Sequence, residues 1–138
     1  MSVLIEQNQE IALRYDTEGF KNFQLWDELL TSDYVYHFCS SETIRGIEAA
    51  KEFSVALHEG FPDIERTIED TIVQGDRVVF RHQYQGTHTG NFLGIPPTGK
   101  QVTIGGITIL RIRDRKIVEE WFELNHLELM KQLGIMAD

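Results

Sequence analysis

The chain of 138 residues is 41% hydrophobic and 25% charged, with a net charge of −9. That length and composition suit one ordinary globular domain, expected over residues 1–138, whose core needs neither metals nor disulfides. The acidic balance repels nucleic-acid phosphates and anionic membranes, and no basic cluster offsets it locally, so neither is an expected partner.

The N-terminal stretch "MSVLIEQNQEIALRYD" has no basic region ahead of its apolar residues and no small-residue cleavage site, unlike a secretory signal. No apolar run approaches the roughly 18 residues of a membrane span. The single cysteine, Cys39, excludes an internal disulfide. These features predict a reducing compartment, with the cytoplasm as the default.

From Val3 to Leu30 apolar residues recur at helical spacing (Leu4, Ile11, Tyr15, then Phe23, Trp26 and Leu30), with an interruption near Gly19. One long helix or two consecutive ones are predicted. "SDYVYHFCSS" reads as a short strand bounded by polar residues, with Tyr36 and Phe38 on one face and His37 and Cys39 on the other. "IEAAKEFSVALHEGF" predicts a helix ending near Gly60, with Pro62 beyond it. The second half alternates: "DIERTIEDTIVQ", a "GD" turn, "RVVFRHQYQGTH", a Pro-Gly loop, "VTIGGITILRI", a turn in "RDRK", then "IVEEWFEL". Four strands in an antiparallel, curved sheet follow from that pattern. "HLELMKQLG" adds a last short helix, and helices followed by a sheet make the fold class α+β.

The loop from Gly94, "GIPPTGK", fits the phosphate-loop pattern G-x-x-x-x-G-K up to its last position. Gln101 stands where a magnesium-holding Ser or Thr is needed. Pro96 and Pro97 have no N–H to aim at a phosphate, and the loop runs into a strand rather than a helix. A nucleotide site is not expected on these grounds.

Strand faces carry more information. Val78, Phe80, His82 and Tyr84 share one face of their strand. In the next, Ile104, Gly106, Thr108 and Leu110 oppose Gly105, Ile107, Ile109 and Arg111, so its middle is apolar on both sides. A sheet with one wet face would alternate cleanly. Both faces are therefore expected to be covered, one by helices and the other by a second subunit in a homodimer.

The helix ending in "GFPD", the run "GDRVVFRHQYQGTHTGNFLGIPPTGK" and the closing "RIRDRKIVEEW" resemble the SnoaL-like polyketide cyclase family. That family belongs with nuclear transport factor two, ketosteroid isomerase and limonene epoxide hydrolase. The likeness runs from about Glu6 to Gly134 and is strongest from Phe61 to Trp121. It implies a cone-shaped barrel: a strongly curved, mostly antiparallel sheet wrapped round the N-terminal helices, with an apolar pocket at the open end. The Gly-Pro segment becomes a connection between strands at the rim.

The resemblance also implies an intramolecular aldol ring closure that needs no cofactor. The family's acid follows the tryptophan of an "EW" or "HW" pair, where this chain has Phe122 after Trp121. Its neighbouring-strand partner, commonly a histidine, aligns with Thr108, and a second carboxylate aligns with Asn125. None of the three can move a proton at neutral pH.

Alternation supplies substitutes. Val118, Glu120, Phe122 and Leu124 share a face, which places Glu120 beside the replaced acid, and His82 lies on an apolar face. Glu120 and His82 are the expected acid/base pair, with Tyr36 as an orienting donor. The plainer alternative gives Glu120 an ordinary hydrogen bond or salt bridge, with Arg81 or Arg111 as the partner in view, and makes His82 a satisfied core histidine. Tyr15, Phe38, Thr108, Phe122 and Asn125 are the expected substrate contacts. His37 and Cys39 lack a third orienting group, so Cys39 is expected to be structural, and His88 to hold the rim loop. No histidine pair has metal spacing and no G-x-S-x-G occurs, so neither metal, cofactor nor covalent nucleophile is expected. The expected partner is a hydrophobic small molecule, met either by an enzyme or by a binding module. A dimerisation scaffold, with its cavity closed by Phe38, Leu110 and Phe122, is the third possibility.

Overall fold

The computed structural model describes residues 3–39 and 42–135. Helix α1 (Val3–Lys21) runs two residues past Gly19 and stops at Asn22, whose side chain accepts from the Gln24 backbone N–H and opens a 3-10 turn, Phe23–Leu25. Helix α2 (Trp26–Leu29) follows, so the second of two consecutive helices is only one turn long. Trp26 Nε1 donates to the Gly19 carbonyl at 2.8 Å, which fixes the bend.

Strand β1 (Leu30–Phe38) is the predicted strand, and the serines expected to bound it, Ser40 and Ser41, lie outside the described residues. A short β2 (Glu42–Arg45) precedes α3 (Ile47–Gly60). Then come β3 (Glu65–Gln74), β4 (Arg77–Thr87), β5 (Gln101–Arg113) and β6 (Lys116–Leu124), the four expected strands, and α4 (His126–Gln132). The β3–β4 and β5–β6 connections are tight turns centred on Gly75–Asp76 and Asp114–Arg115.

Among the described residues six strands form one sheet in the order β2-β1-β6-β5-β4-β3, with β1 and β6 parallel and the other neighbouring pairs antiparallel. Register shifts interrupt the β1–β6, β3–β4 and β5–β6 ladders, and such bulges bend a sheet. The sheet curls round the helices without closing, since β2 and β3 remain its two edges. Among the described residues no helix is long and apolar enough to cross a membrane.

The inner face carries the core, in two clusters. Ala12, Trp26, Leu29, Leu30, Val78, Phe80, Leu110 and Ile117 fill one end. Phe20, Phe38, Phe61, Tyr84, Phe92, Ile104 and Phe122 surround the other. The expected inward face of β4 is the observed one, with Val78, Phe80, His82 and Tyr84 all buried. On β5 only one face is covered by the chain itself: Ile107 is 44% exposed, and Ile72 on β3 is 62% exposed.

The Gly-Pro connection folds back on the end of α3. Gly90 N–H donates to the Gly60 carbonyl, and a Cβ on Gly90 would fall 1.9 Å from the Glu59 carbonyl oxygen. Its glycines permit close backbone approach, and Phe92 packs against Phe61 at 5.3 Å between ring centroids. His88, fully buried, exchanges backbone hydrogen bonds with Lys100 and Gly99 and accepts at Nδ1 from the Thr98 N–H, so it holds the loop as expected.

Candidate active site

Inward-facing side chains of β6 include Val118, Glu120 and Phe122. Glu120 is 5% exposed, an unusual place for a carboxyl group. Its partners come from two other elements. Tyr15 on α1 donates to Glu120 Oε1 at 2.6 Å, and Tyr34 on β1 donates to the same oxygen at 2.5 Å. Burial raises the Glu120 pKa; the two tyrosine hydrogen bonds and Arg66 lower it, Asp16 raises it again, and the balance leaves it at about 7. Tyr15 and Tyr34 are held well above the usual phenol range, first by burial and then by the Glu120 charge, so both stay protonated donors.

Glu120 faces a cavity of about 80 Å³, whose wall is mostly aromatic: Tyr15, Phe20, Tyr36, Phe38, Phe53, Phe61, Tyr84, Phe92 and Phe122 among others. A single water needs roughly 10–15 Å³, so this is more than a packing gap. Phe38 and Phe122, 5.9 Å apart between centroids, line the space and do not fill it.

A second polar group enters from β3. Arg66 lines the cavity with its guanidinium 3.9 Å from the centre of the Phe20 ring. Arg66 Nη1 donates to the Tyr84 hydroxyl at 3.3 Å, and Nη2 donates to the Asp16 carbonyl at 2.5 Å and lies 3.3 Å from Asp16 Oδ1. Asp16 Oδ2 is 2.8 Å from His82 Nε2, and both of those side chains are at most 1% exposed. A buried charge is tolerable when paired in this way.

The family model for SnoaL-like polyketide cyclases matches residues 9–133. The chain belongs to that family. Among solved structures, a Jannaschia sp. CCS1 protein assigned as a SnoaL-like polyketide cyclase is 31% identical, with 99% of this chain and 98% of that one aligned and a TM-score of 0.93. IdmH of Streptomyces antibioticus, assigned as a polyketide cyclase, is 28% identical over 93% of this chain and 99% of that one, with a TM-score of 0.80. A Catenulispora acidiphila protein with a ketosteroid isomerase-like fold shares the architecture at 20% identity, covering 94% and 95% of the two chains, with a TM-score of 0.76. No curated protein is significantly similar in sequence.

In this SnoaL-like chain the expected site residues divide. Glu120, Tyr15, Tyr36, Phe38 and Phe122 all reach the cavity. His82 does not pair with Glu120. Glu120 stands opposite Leu110, and Leu110 opposite Val78, so His82 lies four positions along its strand from the point level with Glu120. Four positions are about 13 Å, and His82 meets Asp16 instead. Thr108 is fully buried between Phe80 and Phe122 in the sheet and is not on the cavity wall. Asn125 is exposed and caps α4, accepting from the Glu128 N–H, because the strand has ended at Leu124.

The plainer alternative holds in part: Glu120 is hydrogen-bonded, though to tyrosines, and His82 is a core histidine paired with Asp16, while neither arginine reaches Glu120. Arg111 pairs with Glu119 at 3.0 Å and Arg81 with Asp70 at 2.8 Å, both on the other side of the sheet. Glu119 also takes His37 Nε2 at 2.6 Å, and His37 stacks on Trp121. Burial pushes the Cys39 thiol pKa up, away from a reactive thiolate.

Three site residues were not singled out from the sequence: Tyr34, Arg66 and Asp16. Each left a signal. Tyr34 continues the face of Tyr36 and Phe38, Arg66 sits between Ile64 and Ile68 on the apolar face of its strand, and Asp16 lies one turn beyond Ala12 on the buried side of α1.

Proposed function

We propose that the chain is a cofactor-free proton-transfer enzyme of the cyclase type, with Glu120 as its general acid and base and a hydrophobic aromatic small molecule as its substrate. The observation that carries this reading is the buried Glu120 carboxyl in an aromatic cavity, with both tyrosine hydrogen bonds on Oε1. Oε2 is then the oxygen that exchanges a proton with substrate. A carboxyl titrating at about 7 is present in both forms at neutral pH, which is what a group that first takes and later returns a proton requires.

For an aldol closure the steps balance without a further reactant. The Glu120 carboxylate takes a proton from the carbon beside one carbonyl, and that C–H pair becomes an enolate. The enolate carbon attacks a second carbonyl of the same molecule, forming the ring bond and an alkoxide. Protonation of the alkoxide by Glu120 restores the carboxylate. Tyr15 and Tyr34 hold the carboxyl group's orientation throughout.

The test is turnover of linear aromatic polyketide-like diketones by the wild type, Glu120→Gln and Tyr15→Phe. Loss of general acid/base catalysis costs about 10²–10⁴-fold, and that fall in kcat is expected for Glu120→Gln. An unchanged kcat would remove Glu120 from the chemistry. A second reading, a non-catalytic binding protein, is favoured by Phe122, an apolar side chain on the cavity wall where the family resemblance places the acid. Tight ligand binding without turnover in the wild type would select it.

The same proposal includes a homodimer that covers Ile107 and its neighbours on the outer sheet face. Sedimentation velocity of the wild type beside Ile107→Arg checks it; a wild-type monomer would remove it.

A further inference from the structure

The chain has four tyrosines, and all four line the cavity: Tyr15, Tyr34, Tyr36 and Tyr84. Tyr15 and Tyr34 direct their protons to Glu120 Oε1. Tyr84 is bound in the opposite sense. Its hydroxyl is 3.3 Å from Arg66 Nη1, and a guanidinium has donors only, so the phenol oxygen accepts. Its own proton is left over, since among the described residues Arg66 is the partner of this hydroxyl.

Arg66 cannot easily turn away. Phe20 packs against its plane, Asp16 holds Nη2 through both backbone and side chain, and His82 holds Asp16. A phenol that accepts from a fixed cation is a stronger donor than a free one. Asp16 also balances the guanidinium charge, so this wall of the cavity is polarised but nearly neutral. Such a wall favours a neutral acceptor over an anion, whose own desolvation would go uncompensated.

We infer that Tyr84, set in place by Arg66, is the hydrogen-bond donor for a neutral carbonyl oxygen of the aromatic ligand. The aromatic wall supplies the non-directional part of recognition and Tyr84 the directional part. The inference rests on the proton-transfer reading for one consequence only. When Glu120 removes the proton beside that carbonyl, the electron pair moves onto the oxygen that Tyr84 already holds.

The test uses 9-fluorenone, a flat aromatic ketone with no hydrogen beside its carbonyl, so that Glu120 chemistry cannot intervene, and fluorene, the same ring system without the oxygen. Wild type is expected to prefer fluorenone over fluorene by roughly three- to tenfold, the worth of one neutral hydrogen bond. Tyr84→Phe keeps the ring and is expected to lose the preference while still binding fluorene, which also reports an intact cavity. The infrared carbonyl stretch of fluorenone bound to the wild type is expected below its value in cyclohexane. A preference that survives in Tyr84→Phe, a stretch at the cyclohexane value, or a wild type that binds neither compound would each overturn the inference. The infrared result decides by itself if Tyr84→Phe does not fold. Glu120-dependent turnover without the fluorenone preference would sink this inference and leave the proton-transfer reading standing. The preference without turnover would do the reverse.

Discussion

Tyr15 and Glu120 are 105 positions apart in the chain and 2.6 Å apart in the fold. The contact joins the first helix to the last strand, and Tyr34 reaches the same carboxyl oxygen from β1. Two such hydrogen bonds favour a carboxylate, yet the Glu120 pKa stands at about 7, above its ordinary 4.5. Burial therefore outweighs both bonds. The site stabilises the neutral acid enough to make it available, without making the anion inaccessible.

This balance has a consequence for stability. Between pH 4.5 and about 7 the folded chain keeps a proton on Glu120 that the unfolded chain has released. Its contribution is complete below pH 4.5 and is lost as pH rises through 7, an effect on the order of 3 kcal/mol. Glu120→Gln keeps an oxygen acceptor for the two tyrosines and cannot ionise. Its Tm is expected to match the wild type near pH 4.5, to exceed it increasingly up to about pH 7, and to keep a constant margin above that. Parallel Tm curves between pH 4.5 and about 7 would show that Glu120 titrates normally.

Asp16 is buried between His82 and Arg66, and in its pair with Arg66 the two side chains are 1% and 12% exposed. Removing one partner leaves an uncompensated charge, which costs about 3–5 kcal/mol. Asp16→Ala is expected to lower the unfolding free energy by that amount, seen as a lower urea midpoint with the slope unchanged. The double variant with Arg66→Met should recover part of the loss, because the stranded charge goes too. Additive losses would mean that the two side chains are not energetically coupled.

Much of this site was legible in the sequence, and its limits are physical. Alternation places Glu120 and Phe122 on the inner face of β6 because the side-chain period of a strand is fixed at two. Alternation says nothing about position along a neighbouring strand, so it pairs Glu120 with His82, which the ladder sets four positions away. Asp16 and Arg66 escape for a different reason: a lone charge is by default a surface residue, and only the two together make burial tolerable. The resemblance implies an acid at position 122, whereas alternation points to Glu120. Phe122 is apolar, and the carboxyl two residues earlier on the same face occupies the cavity.

Asp114 and Arg115 form the β5–β6 turn with φ of 50° and 66°. Both are left-handed, the geometry that twisted hairpins require and that a side chain such as arginine resists. The companion turn between β3 and β4 has Gly75 at φ 58°. Arg115→Gly is expected to stabilise the fold by about 1 kcal/mol, seen as a higher urea midpoint. A loss of stability would mean that the Arg115 side chain makes contacts worth more than the strain.

Gly105 and Gly106 are adjacent on β5 and are expected to respond to alanine with opposite signs. Gly105 points outward, and a Cβ there would come no closer than 3.8 Å to its nearest neighbour, the His82 carbonyl oxygen. Restricting the unfolded chain without a clash stabilises by about 0.4–1 kcal/mol, so Gly105→Ala should raise Tm. Gly106 points inward, where a Cβ would lie 3.0 Å from Phe122 Cε1, 3.1 Å from Tyr84 Cε1 and 3.2 Å from the Glu123 carbonyl oxygen. Two aromatic rings and a backbone group cannot all give way, and overpacking of this kind costs about 1–3 kcal/mol. Gly106→Ala should therefore lower Tm and weaken fluorenone binding together, since Tyr84 is one of the rings displaced. Equal effects at the two positions would mean that strand propensity, not the space beside Tyr84 and Phe122, selects glycine here.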